Sequence, residues 1–299
     1  MKTIEFNRYY KKFGFLSLIL IIISLSLLFF KGLNYGVDFK GGTLIEIRIQ
    51  NSDHSVSKVR DVFSDSNLPN LTVKNFGNDK DYIIKFQKQN LDNPEYINDL
   101  KIEVSKSFPD INFRRVENVG PKVSSELLRS GILAISLSLA AMLFYIWIRF
   151  EWQFSLGAIL ALFHDVIITL GVFSLLSLEI NLSIVAAVLT IVGYSMNDTV
   201  VIYDRIRDNL KKYADVNIFE LSNQSINETL SRTILTSLTT LLALLSIFFL
   251  GGEILRGFSL AMILGVIVGT YSSIYIANPT LVRLNVNHDT VVKKEEEKN

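Results

Sequence analysis

Six nearly unbroken apolar runs, residues 13–30, 131–148, 154–176, 180–203, 234–250 and 258–277, constrain this chain more than any other feature. A bilayer core offers backbone N–H and C=O groups no partner, so a spanning segment must be a helix of about 20 mostly apolar residues. Each run reaches or approaches that length. The chain reads as an α-helical polytopic membrane protein with six transmembrane helices. With 49% hydrophobic and 20% charged residues it is too apolar for an ordinary soluble protein and too charged for a purely intramembrane one. The first run follows Lys2, Arg8, Lys11 and Lys12, as in a signal peptide. It continues through Leu27-Leu28-Phe29-Phe30 with no small-residue cleavage site after it, and reads as a retained anchor.

Lys and Arg in short loops set the orientation. Bases precede the first run, Arg149 follows the second, Arg205, Arg207, Lys211 and Lys212 follow the fourth, and Arg283, Lys293, Lys294 and Lys298 follow the sixth. The connection Ser177-Leu178-Glu179 carries no base, and the turn between the fifth and sixth runs carries only Arg256. Both termini are expected to be cytoplasmic. The expected divisions are 1–32 (N-terminal tail and first helix), 33–129 (an external domain), 130–283 (helices two to six) and 284–299 (a cytoplasmic tail). The ending "KKEEEKN" reads as a solvated tail.

The polar insert between the first two runs follows a legible pattern. "TLIEIRI" (43–49) alternates as a strand does, and residues 55–66 place Val56, Val59, Val62 and Phe63 at helical spacing. Residues 71–76 and 82–86 are strand-like around Gly-Asn-Asp, 94–108 are helical, and 111–119 form a last strand. The order β-α-β-β-α-β predicts an α+β ferredoxin-like domain. Two glycine-bearing stretches flank it: "NYGVDFKGGT", with Asp38, Gly41 and Gly42, and "VGPKVSSEL", with Gly120 and Pro121. A phosphate loop would need a Lys and a Ser or Thr at a helix start after the glycines. A strand follows instead, so both stretches read as tight joints, and Pro121 as the start of the second membrane helix.

Net charge is +1, which gives no case for nucleic acid. Absence of cysteine excludes a disulfide framework or a thiolate metal site, and the three histidines, His54, His164 and His288, are scattered. No metal site, catalytic set or enzyme is expected. The chemistry lies instead in charges within the apolar runs, where each costs roughly 2.5 to 3.5 kcal/mol to insert. Asp198, between Asn197 and Thr199, lies seven residues before Arg205, roughly 10 Å inside the basic border. It either caps or snorkels to the interface, or it is a carboxylate whose proton occupancy changes. Gly193, five residues earlier, would let another helix approach. Arg232 opens the fifth run among Thr233, Thr236, Thr239 and Thr240 at a comparable depth. It is either one more border arginine or the partner of Asp198, in a pair that breaks on protonation. Asp165, beside His164 midway along the third run, is a second relay candidate or a structural aspartate held by hydroxyls. Gly265 and Gly269 form a close-packing motif.

Together, "NYGVDFKGGT", "VGPKVSSELL", "FHDVIITLG" and "VGYSMNDTVVIYDRIRDN" resemble the signature stretches of the SecF family, and the order of one span, an external domain and five spans is similar too. The resemblance covers about residues 34–279. It implies a bacterial inner-membrane subunit that works with SecD beside the SecY/SecE/SecG channel and the accessory proteins YajC and YidC. Such a subunit sits among membrane lipids, with domain 33–129 periplasmic. It uses the proton gradient, with no cofactor, to help drive an unfolded polypeptide across. The family's functional carboxylate falls on Asp198 in "GYSMND" and its arginine on Arg232, with Asp165 a weaker match. The family in turn resembles resistance–nodulation–division transporters, so a proton-coupled exporter of small molecules or lipids is the alternative. That reading calls for a second large external insert, whereas "LSLEIN" and "GGEILRG" are short.

Overall fold

The structure, a computed structural model, describes residues 3–50, 55–64, 68–76, 78–87, 95–213 and 215–291. His54, the helix ends expected at 65–66 and 94, Gly77 and the tail 293–299 lie outside the described residues. Contacts divide the chain into two compact units, one of residues through Asn34 and from Leu133 onward, the other Tyr35–Ile132.

In chain order the elements are α1 (Tyr10–Phe30), β1 (Asn34–Tyr35), the single turn α2 (Val37–Lys40), β2 (Gly42–Ile49), α3 (Val56–Ser64), β3 (Thr72–Phe76), β4 (Asn78–Phe86), α4 (Tyr96–Ser107), β5 (Ile111–Val119) and α5 (Pro121–Arg149). They continue as α6 (Trp152–Leu175), β6 (Glu179–Ile180), α7 (Leu182–Lys212), α8 (Ile218–Leu250), α9 (Glu253–Ser272), a π-helical turn (Ser273–Ala277) and α10 (Asn278–Arg283). Among the described residues, six helical segments are long and apolar enough to cross a membrane.

The unit Tyr35–Ile132 holds an antiparallel sheet in the order β3-β4-β2-β5, the ferredoxin-like order expected from the β-α-β-β-α-β pattern. Alternation along the strands turns Ile45, Ile47, Ile49, Val73, Tyr82, Ile84 and Phe86 to one face, where they pack with Val59 and Phe63 of α3 and Leu100 and Val104 of α4. The other face is charged. Arg48 grips Asp81 through two bonds of 2.6 and 2.7 Å, with Arg114 at 3.5 Å. A bulge opposite Glu46 and Ile47 adds Arg114 to β5, and Arg115 reaches Glu46 at 3.5 Å. Burial pushes the Glu46 carboxyl up despite Arg115. Burial also pulls Lys85 down to about 8, helped by Lys74 and Arg115.

The two glycine stretches meet at the end of β2, where Gly42 pairs with Val119. Gly41 (φ +75°) and Gly42 (φ +128°) both adopt backbone that L side chains rarely take, and a Cβ on Gly42 would lie 2.7 Å from the Phe86 carbonyl oxygen. Gly42→Ala is expected to weaken the sheet by about 3 kcal/mol, from strain plus backbone collision. Faster hydrogen exchange of the β2 and β4 amides would register it. Lys85 gives a prediction with a defined pH window. Its folded-state pKa of about 8 lies below the ordinary 10.5, so the unfolded chain binds the extra proton between those values. Stability of this sheet should therefore rise from pH 8 to 10.5. Lys85→Met should gain about 1–2 kcal/mol at pH 7 and lose that advantage across the same window, by hydrogen exchange of the same amides.

In the other unit, α6, α7 and the segment Leu255–Arg283 form the centre. About half of their apolar windows is buried (56, 50 and 50%), against 11, 11 and 17% for the spans built on α1, α5 and α8. α7 starts on Asn181, whose side chain accepts the Ile184 N–H, and α8 starts on Asn217, which accepts that of Phe219. Both run further than their apolar stretches. The excess is charged and paired: Arg205 with Glu228 at 2.5 Å, Arg207 with Glu151 at 3.3 Å, and Arg149 with Asp204 at 2.7 Å. The last span breaks into a π turn where Pro279, lacking an N–H, leaves the Tyr275 carbonyl without its α-helical donor. Asn278 Nδ2 donates to the Ser273 carbonyl at 2.8 Å, so that carbonyl is satisfied by a side chain.

Candidate functional site: the buried carboxylates of the helix bundle

Asp165 is fully buried on α6. Its Oδ2 accepts from Ser195 Oγ of α7 at 2.5 Å and from Ser272 Oγ of α9 at 2.8 Å, and its Oδ1 faces His164 Nδ1 at 2.9 Å. Three helices thus converge on one carboxylate. The His164 ring stacks on Tyr271, with ring centroids 5.9 Å apart, and its buried Nε2 has no hydrogen-bond partner among the described residues. Tyr271 in turn donates to the Phe13 carbonyl of α1. Of the two sequence readings of Asp165, the hydroxyl-held aspartate describes these contacts.

Asp198 is also buried, one side of α7 away. Thr270 Oγ1 of α9 donates to its Oδ2 at 3.2 Å, and Thr270 is bonded to Ser237 of α8 at 2.8 Å. One residue on, Thr199 bonds Ser273 at 2.8 Å. The direct pair with Arg232 expected from the sequence is not formed: among the described residues no ion pair joins them. Arg232 lies within electrostatic reach of Asp198, but its side chain is exposed. The cause is helical phase. Thr233 and Ser237, four apart, are the buried face of α8, and Arg232 is one step of about 100° off it.

Among the described residues nothing lies within 4 Å of a Cβ built at Gly193, and Asn197, one turn on, is exposed with it, so no described helix of this chain makes the close approach there. The close approach is made by Gly265 and Gly269, where an added Cβ would strike Ile191 and Ser195 of α7. Asp38 lies in α2, Gly120 precedes α5 and accepts the Ser124 N–H from its carbonyl, and Pro121 is the first residue of α5. None of Asp38, Gly41, Gly42, Gly120 and Pro121 belongs to the bundle unit that holds the carboxylates. No group of three metal-ligating side chains occurs among the described residues.

Sequence reasoning missed Ser195, Ser237, Thr270, Ser272 and Ser273. The signal was present: "TYSS" puts four hydroxyls into four successive positions of an apolar run, and such groups inside a membrane helix usually bond across to a neighbour. Removing the centre of the Asp165 cluster should be costly. Asp165→Ala leaves the Ser195 hydroxyl and the imidazole without their partner and Ser272 with only the Gly269 carbonyl, and is expected to cost about 3 kcal/mol. Asp165→Asn, which keeps an acceptor oxygen, should lose less. Thermal unfolding in detergent ranks the two against the parent chain.

The family described as "Protein export membrane protein SecD/SecF, C-terminal" matches residues 99–287, and the "SecD/SecF GG Motif" matches residues 26–53, which include Gly41 and Gly42. A protein translocase subunit SecF of Rickettsia bellii is 47% identical over 267 residues, covering 89% of this chain and 88% of that protein. The corresponding subunit of Vibrio alginolyticus is 41% identical, covering 99% and 95%. Among solved structures, SecDF of Thermus thermophilus, described as a translocon-associated membrane protein, superposes with a TM-score of 0.86 at 37% identity over 94% of this chain. A SecDF structure in a super-membrane-facing form gives a TM-score of 0.70 at 35% identity over 100% of this chain. This chain spans 38 and 40% of those two longer chains. A six-span bundle with its α+β insert, a match over residues 99–287 and relatives above 40% identity place this multi-pass membrane protein in the SecF branch of the SecD/SecF family.

Proposed function

We propose that this chain is the SecF-type half of a proton-driven export motor, in which Asp198 takes up and releases the proton and Arg232 senses its charge. The observation that carries the reading is the placement of Asp198: a carboxylate inside an apolar bundle, held by the hydroxyls of Thr270 and Ser237, which are bonded to each other, with an arginine in electrostatic reach but not bonded to it. An intramembrane ionisable group is expensive and marks ion pathways by default. A carboxylate held by a neutral relay, with its countercharge free to move, can change protonation without leaving an unpaired buried cation.

The partner is SecD, which the SecD/SecF family and the SecDF structures pair with SecF by name. The channel of SecY, SecE and SecG is the companion that a translocon-associated protein implies. Basic residues before α1 and after α7 orient both termini to the cytoplasm of a bacterial inner membrane and the ferredoxin-like unit to the periplasm, where it handles the emerging unfolded chain. The energy source is the proton gradient. One charge crossing 100 mV is worth about 2.3 kcal/mol, and a swing from 1:99 to 99:1 needs about 5.5 kcal/mol, so a few protons suffice for one swing.

Proton-driven export in inverted vesicles tests this, with Asp198→Asn, Arg232→Met and parent chain compared at equal protein level. Both variants should lose at least about tenfold in rate, the scale of removing a proton-transferring group, while the SecD partner still co-purifies. Wild-type rates in Asp198→Asn would sink the proton-switch assignment.

A further inference from the structure

Asp198 and Asp165 stand on different helices and share no hydrogen bond in the structure, yet both are held by one short stretch of α9. Thr270 donates to Asp198 and Ser272, two residues on, donates to Asp165. Residues two apart on an α-helix point about 200° apart, so α9 is gripped from opposite sides. Ser273 adds a third grip through Thr199 of α7. Gly265 and Gly269 bring the backbone of α9 directly against the Ile191 and Ser195 side chains of α7, leaving little room to absorb a rotation. Directly after Ser272 the helix changes to a π turn, a local winding common at functional hinges. A turn of α9 about its axis that relaxes one carboxylate must therefore disturb the other.

We propose that Asp165 is a positioning residue. Acting through Ser272, it fixes the rotation of α9 that sets Thr270 against Asp198, so the two carboxylates are coupled mechanically without exchanging a proton. The inference rests on the reading of Asp198 as the proton site and adds a role for the second carboxylate. The charged and titratable groups around the two grips are Arg232 of α8, which acts on Asp198, His164 of α6, which acts on Asp165, and Tyr271 of α9, which stacks on His164. None of their side chains is hydrogen-bonded to Thr270 or Ser272 among the described residues, so α9 links the two carboxylates through its backbone, alongside the bond from Ser195 of α7 to Asp165.

The test is the pH profile of proton-driven export by the full chain in its native membrane complex. Ser272→Ala and Thr270→Val should each displace the midpoint of the profile by about half a pH unit, the effect of lengthening one hydrogen bond to a carboxylate. The double variant should move no further than the larger single change, because both substitutions release the same element. Ser259→Ala is the control: this serine is equally buried on α9 but bonds only the Leu255 carbonyl of its own helix, and its profile should superimpose on that of the parent. Asp165→Ala, which removes the acceptor of the Ser272 bond and touches neither Thr270 nor Asp198, should displace the midpoint in the same direction as Ser272→Ala and serves if Ser272→Ala fails to fold. A parent-like profile in Ser272→Ala, or a double variant displaced by the sum of the two shifts, overturns the coupling. Normal export in Asp198→Asn would sink the proton-switch reading alone, since the coupling is judged on the Thr270–Ser272 cycle.

Discussion

A carboxylate in the middle of an apolar bundle has to be met by donors that the fold itself supplies, and the packing of α6, α7 and α9 follows from how Asp165 is met. Its donors are serines, whose side chains reach only one carbon beyond the backbone. A bond of 2.8 Å from Ser272 and one of 2.5 Å from Ser195 therefore require close helix axes. That approach is available because Gly269 faces Ser195 and Gly265 faces Ile191. The polar clamp and the glycine seam are thus one constraint seen from two sides. Lipid drives helix association weakly, so small residues and interhelical hydrogen bonds carry the packing.

The two carboxylates differ in how completely they are enclosed. Asp165 is met from its own helix and two others, and the imidazole beside it is in turn covered by Tyr271 and, through that ring, tied to α1. Asp198 is met by Thr270 and Ser237, while the nearby cation sits on the exposed side of α8. A site met on every side resists change, whereas one held by a neutral relay beside an unbonded charge has two arrangements within reach. On the proposed reading, the fold spends its rigidity on Asp165 so that Asp198 has a fixed frame to move against.

Length and hydropathy were enough to read the six spans, because a bilayer imposes one length on every helix that crosses it. Alternation likewise carried the sheet of the smaller unit, since Ile45, Ile47 and Ile49 can be buried together on one face only. What the sequence withheld was rotation about the helix axes. Gly193 and Gly269 are the same residue in similar surroundings, yet one faces open space and the other a neighbouring backbone. Asp198 and Arg232 sit at matched depths, which their positions reveal, but whether they touch depends on a helical phase that burial of Thr233 and Ser237 decides. Arg205 and Arg207 read in sequence only as part of a basic border, and the acids that the tertiary fold brings to them, Glu228 and Glu151, lie far off in the chain.

Magnitudes indicate which grip yields first. A hydrogen bond to a charged group contributes about 1.5–3 kcal/mol net, and moving one charge through 100 mV supplies about 2.3 kcal/mol. On the proposed reading, a single proton event is matched to the lighter hold on Asp198, by Thr270 and Ser237, and falls short of the three bonds that enclose Asp165. The π turn lowers the barrier further, because Asn278 already satisfies the Ser273 carbonyl and a small rewinding of the last span need not strand a backbone acceptor in lipid. An element held firmly at Ser272, lightly at Thr270 and wound irregularly beyond both is built to pivot about the first of these points.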